Sequence, residues 1–265
     1  MSPATLRTWE DRYGIPSPRR LAGGHRRYRV ADVELVEQIL RRRAAGQTMA
    51  GAIADTGDML NRPEVSVYAG LRRRHPGLES QRLRKSTLLA LSRSIEDECC
   101  AQADKPTLYV GFQRLRFYEH SAKRWHELAR TAHAVLVFAD FERPSTTDES
   151  PIRIAIPADA ELRREWILVC DSPDRPACLA AWELAGEQTS ADGDRQYEAV
   201  WSVDPRIVRD AARICAGLAQ SFSPGIVDVD ALVPSGTPPP ASSDLRRANG
   251  LLNRTIGYLE HTPSR

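Results

Sequence analysis

Cysteine is scarce in this chain. Of 265 residues only Cys99, Cys100, Cys170, Cys178 and Cys215 are cysteine. None lies in a C-x-x-C pair or at a Cys/His zinc spacing, so neither a structural zinc site nor a disulfide framework is expected. The vicinal pair 99–100 leaves a thiol sensor open beside plain packing as small buried hydrophobes. Long apolar runs are missing too: none reaches the roughly 18 residues that a spanning helix needs. Arg7, Glu10, Asp11 and Arg12 interrupt the N-terminus before a signal-peptide core could form. The expectation is a soluble, cytoplasmic protein without membrane contact. Enzyme motifs are likewise lacking. There is no G-x-x-x-x-G-K-[ST], no G-x-S-x-G and no H-E-x-x-H, since His126-Glu127 has no second histidine. His120, His126 and His133 lie on or beside one predicted helix, with no second cluster to complete a metal site. An enzyme, a metal and an evident cofactor are therefore not expected.

What is present is a globular composition, 42% hydrophobic and 27% charged, in a length that suits a small domain plus a medium one. The net charge of +2 conceals an asymmetry. Residues 1–86 carry 17 Lys+Arg against 9 Asp+Glu, and the remainder 20 against 26. A basic head on an acidic body is the layout of a nucleic-acid reader joined to a second module. Only Lys85, Lys105 and Lys123 among the 37 basic residues are lysine. A GC-rich genome produces the same arginine bias, so composition alone does not establish phosphate binding.

The pattern predicts a helix from the Ser2 N-cap and Pro3 to about Arg12, then extended chain at Pro16 and Pro18. Two basic arms flank Gly23-Gly24 between Arg19 and Arg29, which suits a β-hairpin. Asp32 is expected to cap a second helix with Val33, Val36, Ile39 and Leu40 on one side, and a further helix follows Gln47-Thr48, carrying Met49, Ile53 and Leu60. Residues 61–85 read as a connector with a short helical stretch from Val65 to Arg74, bracketed by Pro63 and His75-Pro76-Gly77. A long helix from 86 to 104 carries Leu88, Leu91, Ile95 and Cys99; it is a candidate dimer contact or a plain core helix. Strands are predicted at Thr107–Gln113, His133–Phe141, Ile152–Ile156, Trp166–Cys170 and Tyr197–Val203. Helices are predicted at Phe117–Thr131, Pro176–Leu184 and from the Asp204-Pro205 cap to Leu218. The fold class is thus α+β or α/β: a mostly helical head with a hairpin wing over 1–60, and a helix-covered sheet of about five strands over 86–222. Residues 223–243 read as a Pro/Ser-rich linker. A terminal helix over 244–262 has Leu245, Leu252 and Leu259 at heptad spacing, fit for a coiled coil or for docking on the body.

In the head, Thr5, Arg7, Thr8 and Arg12 can supply an exposed reading face, and Leu6 and Trp9 a buried one. Arg19, Arg20, Arg26 and Arg27 on the hairpin would track phosphates. The string TLRTWEDRYGIPSPRR-LAGGHRRY resembles the winged helix-turn-helix of the MerR family of bacterial transcription regulators. The pattern falls on Leu6-Arg7-Thr8-Trp9-Glu10, Pro18-Arg19-Arg20 and Gly24-His25-Arg26-Arg27-Tyr28. The resemblance implies contact with double-stranded promoter DNA by the helix at 2–12 and the wing at 18–29. Arg7, Arg26 and Tyr28 sit at family phosphate-contact positions, and His25 lies in the wing. It also implies a homodimer that acts on RNA polymerase indirectly, by distorting promoter DNA. MerR-like domains begin with another helix about ten residues upstream, so the natural reading frame is expected to start before Met1. The alternative is a head that no longer binds DNA, on a signalling protein that works through protein contacts.

The TWE-x-RYG and GGHRRY wording is also similar to a MerR subgroup with cobalamin-binding light sensors. Its D/E-x-H-x-x-G loop has no counterpart here, because Glu119-His120 has the wrong spacing and no following glycine. Cobalamin is not expected. Instead, the stretch from LRKSTLLALSRSIEDECC through RWHELARTAHAVLVFADF, REWILVCDSPD, CLAAWE and YEAVWSVDP resembles the DICT sensory domain over about residues 84–220. That implies a module receiving an unknown signal or small molecule, and it does not imply cyclase chemistry, as no GGDEF string occurs. Asp140 and Asp171 lie where strands end. With Trp166 they form a candidate ligand site, against the alternative that both aspartates cap turns or helices. Arg114 and Arg116, after the first strand, are candidates to bind an anion or to be solvated.

Overall fold

A computed structural model describes all residues except 1, 14, 17, 21–24, 29, 54–55, 57–63, 146–148, 185–192, 194, 235, 237 and 262–265. The chain divides into two units, Met1–Pro63 and Glu64–Arg265.

The first unit contains α1 (Pro3–Tyr13), the two-residue strands β1 (Arg19–Arg20) and β2 (Arg26–Arg27), α2 (Val30–Ala44) and a short helix α3 over 49–53. Ser2 starts α1: its Oγ accepts the N–H of Thr5 at 3.1 Å, replacing a bond that the first helical turn cannot make itself. The strands pair antiparallel with Arg19 opposite Arg27 and Arg20 opposite Arg26. Gly23-Gly24, the expected turn, lies outside the described residues, as do Pro63 and Leu60. The core is small: Trp9, Val36, Ile39 and Ala52, with Leu6, Tyr13, Ile15, Leu35, Met49 and Ile53 against it. The expected stripe on α2 is half right. Val36 and Ile39 are buried, but Val33 and Leu40 are 48% and 40% exposed, because Leu35 and Val36 turn the apolar face away from them. Asp32 is buried inside the first turn of α2 and is not its cap, since the helix starts two residues earlier.

The second unit is built on a seven-stranded sheet in the order β3-β9-β8-β7-β4-β5-β6. The strands are β3 (Gln81–Arg84), β4 (Thr107–Gly111), β5 (Ala134–Ala139), β6 (Ile152–Ala155), β7 (Glu165–Asp171), β8 (Ala177–Glu183) and β9 (Gln196–Ser202). β4, β5 and β6 run parallel, whereas β7, β8, β9 and β3 continue from β4 as antiparallel neighbours. Side chains alternate between two covered faces. Tyr109, Leu136, Phe138, Val169 and Ala180 meet α4 (Val67–Arg74), α8 (Pro205–Phe222) and α9 (Val229–Leu232). Leu108, Val110, Val137, Leu168 and Leu179 meet α5 (Lys85–Ile95), α6 (Leu115–Glu119) and α7 (Ala122–Ala129). Burying one side chain such as Val208, Ile214 or Leu218 of α8 contributes about 1.5–3 kcal/mol. Asp204 caps α8, accepting from the N–H of Arg206, with Pro205 at the first position.

Five expectations are corrected. The stretch 176–184, read as a helix, is the interior strand β8; five consecutive buried residues from Ala177 to Ala181 sit between β7 and β9, and sheet burial overrides the helix preference of alanine and leucine. The connector 61–85 contains α4 and β3, both part of the sheet unit, with Val67, Leu71 and Leu83 buried. The single helix at 117–131 is two, α6 and α7, and the helix expected to reach 104 ends at Ile95 in a π-helical turn, Glu96–Cys100. Finally, the linker 223–243 is docked. Val227, Leu232, Val233 and Ala241 are buried, and Arg209 donates to the carbonyls of Pro234 and Gly236 at 2.9 and 3.2 Å.

α10 (Ser243–His261) lies along β3. Glu260 accepts from Arg84 Nε at 3.1 Å, Asn253 is buried and Ile256 packs on the core. The heptad leucines 245, 252 and 259 are on its exposed side. α5 is a core helix through Leu88 and Ile95. No described helix is long and apolar enough to cross a membrane.

Candidate nucleic-acid interface and sensory module

α1 divides cleanly. Trp9 is 7% exposed and anchors the helix, while Arg7 and Thr8 lie on the solvent side and Thr5 is half-buried. The Thr8 hydroxyl donates to the carbonyl of Ala4 at 3.1 Å, and Thr5 Oγ1 lies 2.8 Å from Ser2 Oγ. The wing is joined to this helix by an ion pair: Arg26 Nε donates to Glu10 Oε2 at 2.7 Å, with both side chains mostly covered. Arg26 therefore positions the wing in addition to any contact with a phosphate. Arg27 and His25 are exposed and Tyr28 is half-buried. The backbones of Arg12, Arg19 and Arg20 belong to α1 and β1, but their side chains lie outside the described set. Sequence reasoning missed Glu10 as the tether; its signal was a carboxylate one residue after the buried Trp9, on a helix read as facing phosphates. α2 adds a basic end, Arg41, Arg42 and Arg43, which also complements the negative end of the helix dipole.

In the sheet unit the three proposed ligand residues do not form one site. Asp140 follows β5, and Asp171 ends β7. Because β7 runs antiparallel to β4, and β5 parallel to it, the carboxyl ends of β5 and β7 lie at opposite ends of the strands. Asp140 accepts the N–H of Leu115 at the start of α6, and lies 3.5 Å from Arg114 Nη1. Asp171 is buried against Arg209, 2.7 Å from its Nε. Burial raises its carboxyl pKa, and the Arg209 guanidinium partly offsets this. Trp166 turns toward α5 and donates its indole N–H to Ser92 Oγ at 2.9 Å. The thiols are poor sensors: burial pushes Cys99 up to about 11, and Cys100 is raised first by its hydrogen bond with Cys170 and then by burial. Among the described residues no group of His, Cys, Asp and Glu could hold a metal.

One buried acid was not foreseen. Glu165 opens β7 and is fully buried, and its Oε2 accepts the N–H groups of Val67 and Tyr68 at 3.0 and 3.2 Å, in the first turn of α4. Its Oε1 is buried without a partner. Desolvation dominates and moves its pKa to about 7, against the pull of the hydrogen bonds from Ser66, Tyr68 and Val67.

A capped helix tied to a basic hairpin in the first unit, and a sheet covered on both faces in the second, define a two-module protein. Residues 1–54 match the model of the MerR HTH family regulatory proteins, and residues 65–184 match DICT, the sensory domain in diguanylate cyclases and two-component systems. The chain thus carries a MerR-type helix-turn-helix module and a DICT module. The HTH-type transcriptional regulators MlrA of Escherichia coli K12 and of Salmonella typhimurium LT2 are each 44% identical over 41 residues, which is 16% of this chain and 17% of theirs. No solved structure matches. The DICT match starts at 65, so it takes in α4 and β3 and moves the expected boundary at 84–86 forward. It stops at 184, before β9, which pairs within the same sheet, and α8, which covers one of its faces.

Proposed function

We propose that the chain is a transcription regulator. Its first unit binds double-stranded promoter DNA, and a signal received by the DICT module modulates that binding. The observation that carries this reading is the Arg26–Glu10 pair, which fixes the wing to α1 and so gives a rigid arrangement of Arg7, Thr8, His25 and Arg27. Such an arrangement suits phosphate tracking around a groove-reading helix. Thr5, Arg12, Arg19, Arg20 and Tyr28 complete the proposed interface. The protein acts as a homodimer in the cytoplasm, engages polymerase indirectly through the shape of the DNA, and is not an enzyme. Bending-based regulation suits this layout, because the signal need only bias the geometry in which the heads hold the duplex.

The test is fluorescence anisotropy of DNA from the region upstream of the chain's own gene, across a salt series. Affinity is expected to fall steeply with salt. Arg27→Ala should reduce the log–log slope by about 0.9, the release of one phosphate counterion. A complex indifferent to salt, or a slope unchanged in Arg27→Ala, would overturn the assignment of the interface.

A further inference from the structure

The segment that follows the carboxyl end of β4 borders a cavity of about 790 Å³. Several connections meet there. The β4–α6 loop brings Arg114 and the first turn of α6 brings Arg116, the β6–β7 connection brings Arg163 and Arg164, and Arg195 stands just before β9 beside Glu183 at the end of β8. β4 has a parallel neighbour on one side and an antiparallel neighbour on the other. In open sheets ligands gather outside the carboxyl ends of strands, and the cavity lies beyond that end of β4.

Five arginines line this space against three carboxylates. The most deeply placed carboxylate, Glu183, is already engaged: Arg195 Nε and Gln113 Nε2 donate to it at 3.1 and 2.9 Å. The guanidinium groups are also oriented. Arg164 donates to the Glu183 carbonyl at 2.9 Å and lies 4.9 Å over the Trp182 ring, Arg163 donates to the Pro157 carbonyl at 3.1 Å, and Arg116 lies 4.9 Å over Phe117. Each guanidinium has five N–H donors, so one anchoring bond leaves most of the fork for a ligand. Asp140 stands at the rim, 3.5 Å from Arg114 and 4.0 Å from Arg163, close enough to hold both until a stronger anion arrives. A carboxylate fills one fork. A phosphate offers three or more oxygens, which forks from separate loops can share. The volume falls in the range of small-molecule sites.

We propose that this cavity binds a phosphorylated small molecule up to nucleotide size, and that it is the signal site of the DICT module. The second half of that statement rests on the reading of the chain as a signal-modulated regulator. The cationic wing is a competing sink for any polyanion, so the experiment separates the two. Isothermal titration of the full chain uses pyrophosphate, ATP and, as a polycarboxylate, citrate. Arg114→Ala/Arg116→Ala, at two exposed positions, is expected to weaken the phosphate probe that binds by about tenfold or more. Arg163→Ala, from a different loop, should weaken it in the same direction, and Arg27→Ala in the wing should leave it unchanged. Circular dichroism of each variant should match the parent. Failure of both phosphate probes to bind, equal binding by the double variant, an equal loss in Arg27→Ala, or citrate binding as tightly would overturn the proposal. DNA anisotropy on the same samples distinguishes the two readings. Phosphate binding without DNA binding sinks the regulator and leaves the cavity; DNA binding without phosphate binding does the reverse.

Discussion

Glu165 supplies a quantitative test of the sheet unit. Its carboxyl is fully buried, has one oxygen bonded to the first turn of α4 and the other without a partner, and is raised from 4.5 to about 7 chiefly by desolvation. In the unfolded chain it ionises near its ordinary value. Below about pH 4.5 both states hold the proton and its ionisation costs nothing. Between pH 4.5 and 7 the folded state holds the proton and the unfolded state has released it, so stability falls as pH rises. Above pH 7 the full cost of a buried carboxylate is present. At roughly 1.36 kcal/mol per tenfold change in proton affinity, that cost is about 3 kcal/mol. Glu165→Gln removes the ionisation but keeps an acceptor for the Val67 and Tyr68 amides. Urea unfolding of the full chain, following the transition of the sheet unit at pH 4.5 and pH 8, is the assay. The parent should lose about 3 kcal/mol more than Glu165→Gln across that interval, and the variant should be the more stable protein at pH 8. Equal pH slopes, or a variant less stable at pH 8, would mean that the carboxylate serves as an ionised cap for α4 and that the desolvation argument fails.

Two further outcomes follow from paired charges. Asp171→Ala strands Arg209, whose side chain is 10% exposed, and should cost about 3–5 kcal/mol by urea unfolding, with segment 223–242 becoming sensitive to limited proteolysis. A double-mutant cycle of Glu10→Gln and Arg26→Ala, read by thermal unfolding of the first unit, should give a coupling of about 0.5–1 kcal/mol because the pair is partly solvated; either single variant should weaken DNA binding through the wing's position.

The parts of the fold legible in the sequence are those in which local pattern and final environment agree. β4 and β5 are apolar almost throughout because both their faces are covered, and α8 announces itself by the Asp204-Pro205 start. The misread parts depend on distant partners. Arg72, Arg73 and Arg74 made α4 look like a solvated connector, yet Glu64 lies beside Arg73 and Arg74, and Asp210 comes from α8. This also changes the charge argument: six of the 17 basic residues counted in the head belong to the sheet unit, leaving 11 against 7 acidic in residues 1–63. β3 is a short edge strand with a single buried side chain, Leu83, too little to show alternation. The grouping of Asp140, Trp166 and Asp171 into one site comes apart for a topological reason. Asp140 and Asp171 each end a strand, but strand direction is set by pairing that no local pattern encodes.

The arginine cavity and Glu165 are joined by the chain itself. Arg163 and Arg164 line the cavity, and the next residue is Glu165, which holds the first turn of α4, the first helix after residue 63. A charge in the cavity wall is already felt at that carboxyl, since Glu161 raises its pKa. A bound phosphate adds negative charge on the same side and further disfavours the ionised form. Saturating pyrophosphate should therefore move the titration of Glu165, followed by carbon NMR of its carboxyl, to higher pH, and Arg114→Ala/Arg116→Ala should abolish the shift. Ligand occupancy and a fall in pH then act on one group in the same direction, both favouring the protonated carboxyl. An unchanged midpoint in the presence of bound pyrophosphate would show that the cavity and the α4 contact are electrostatically independent.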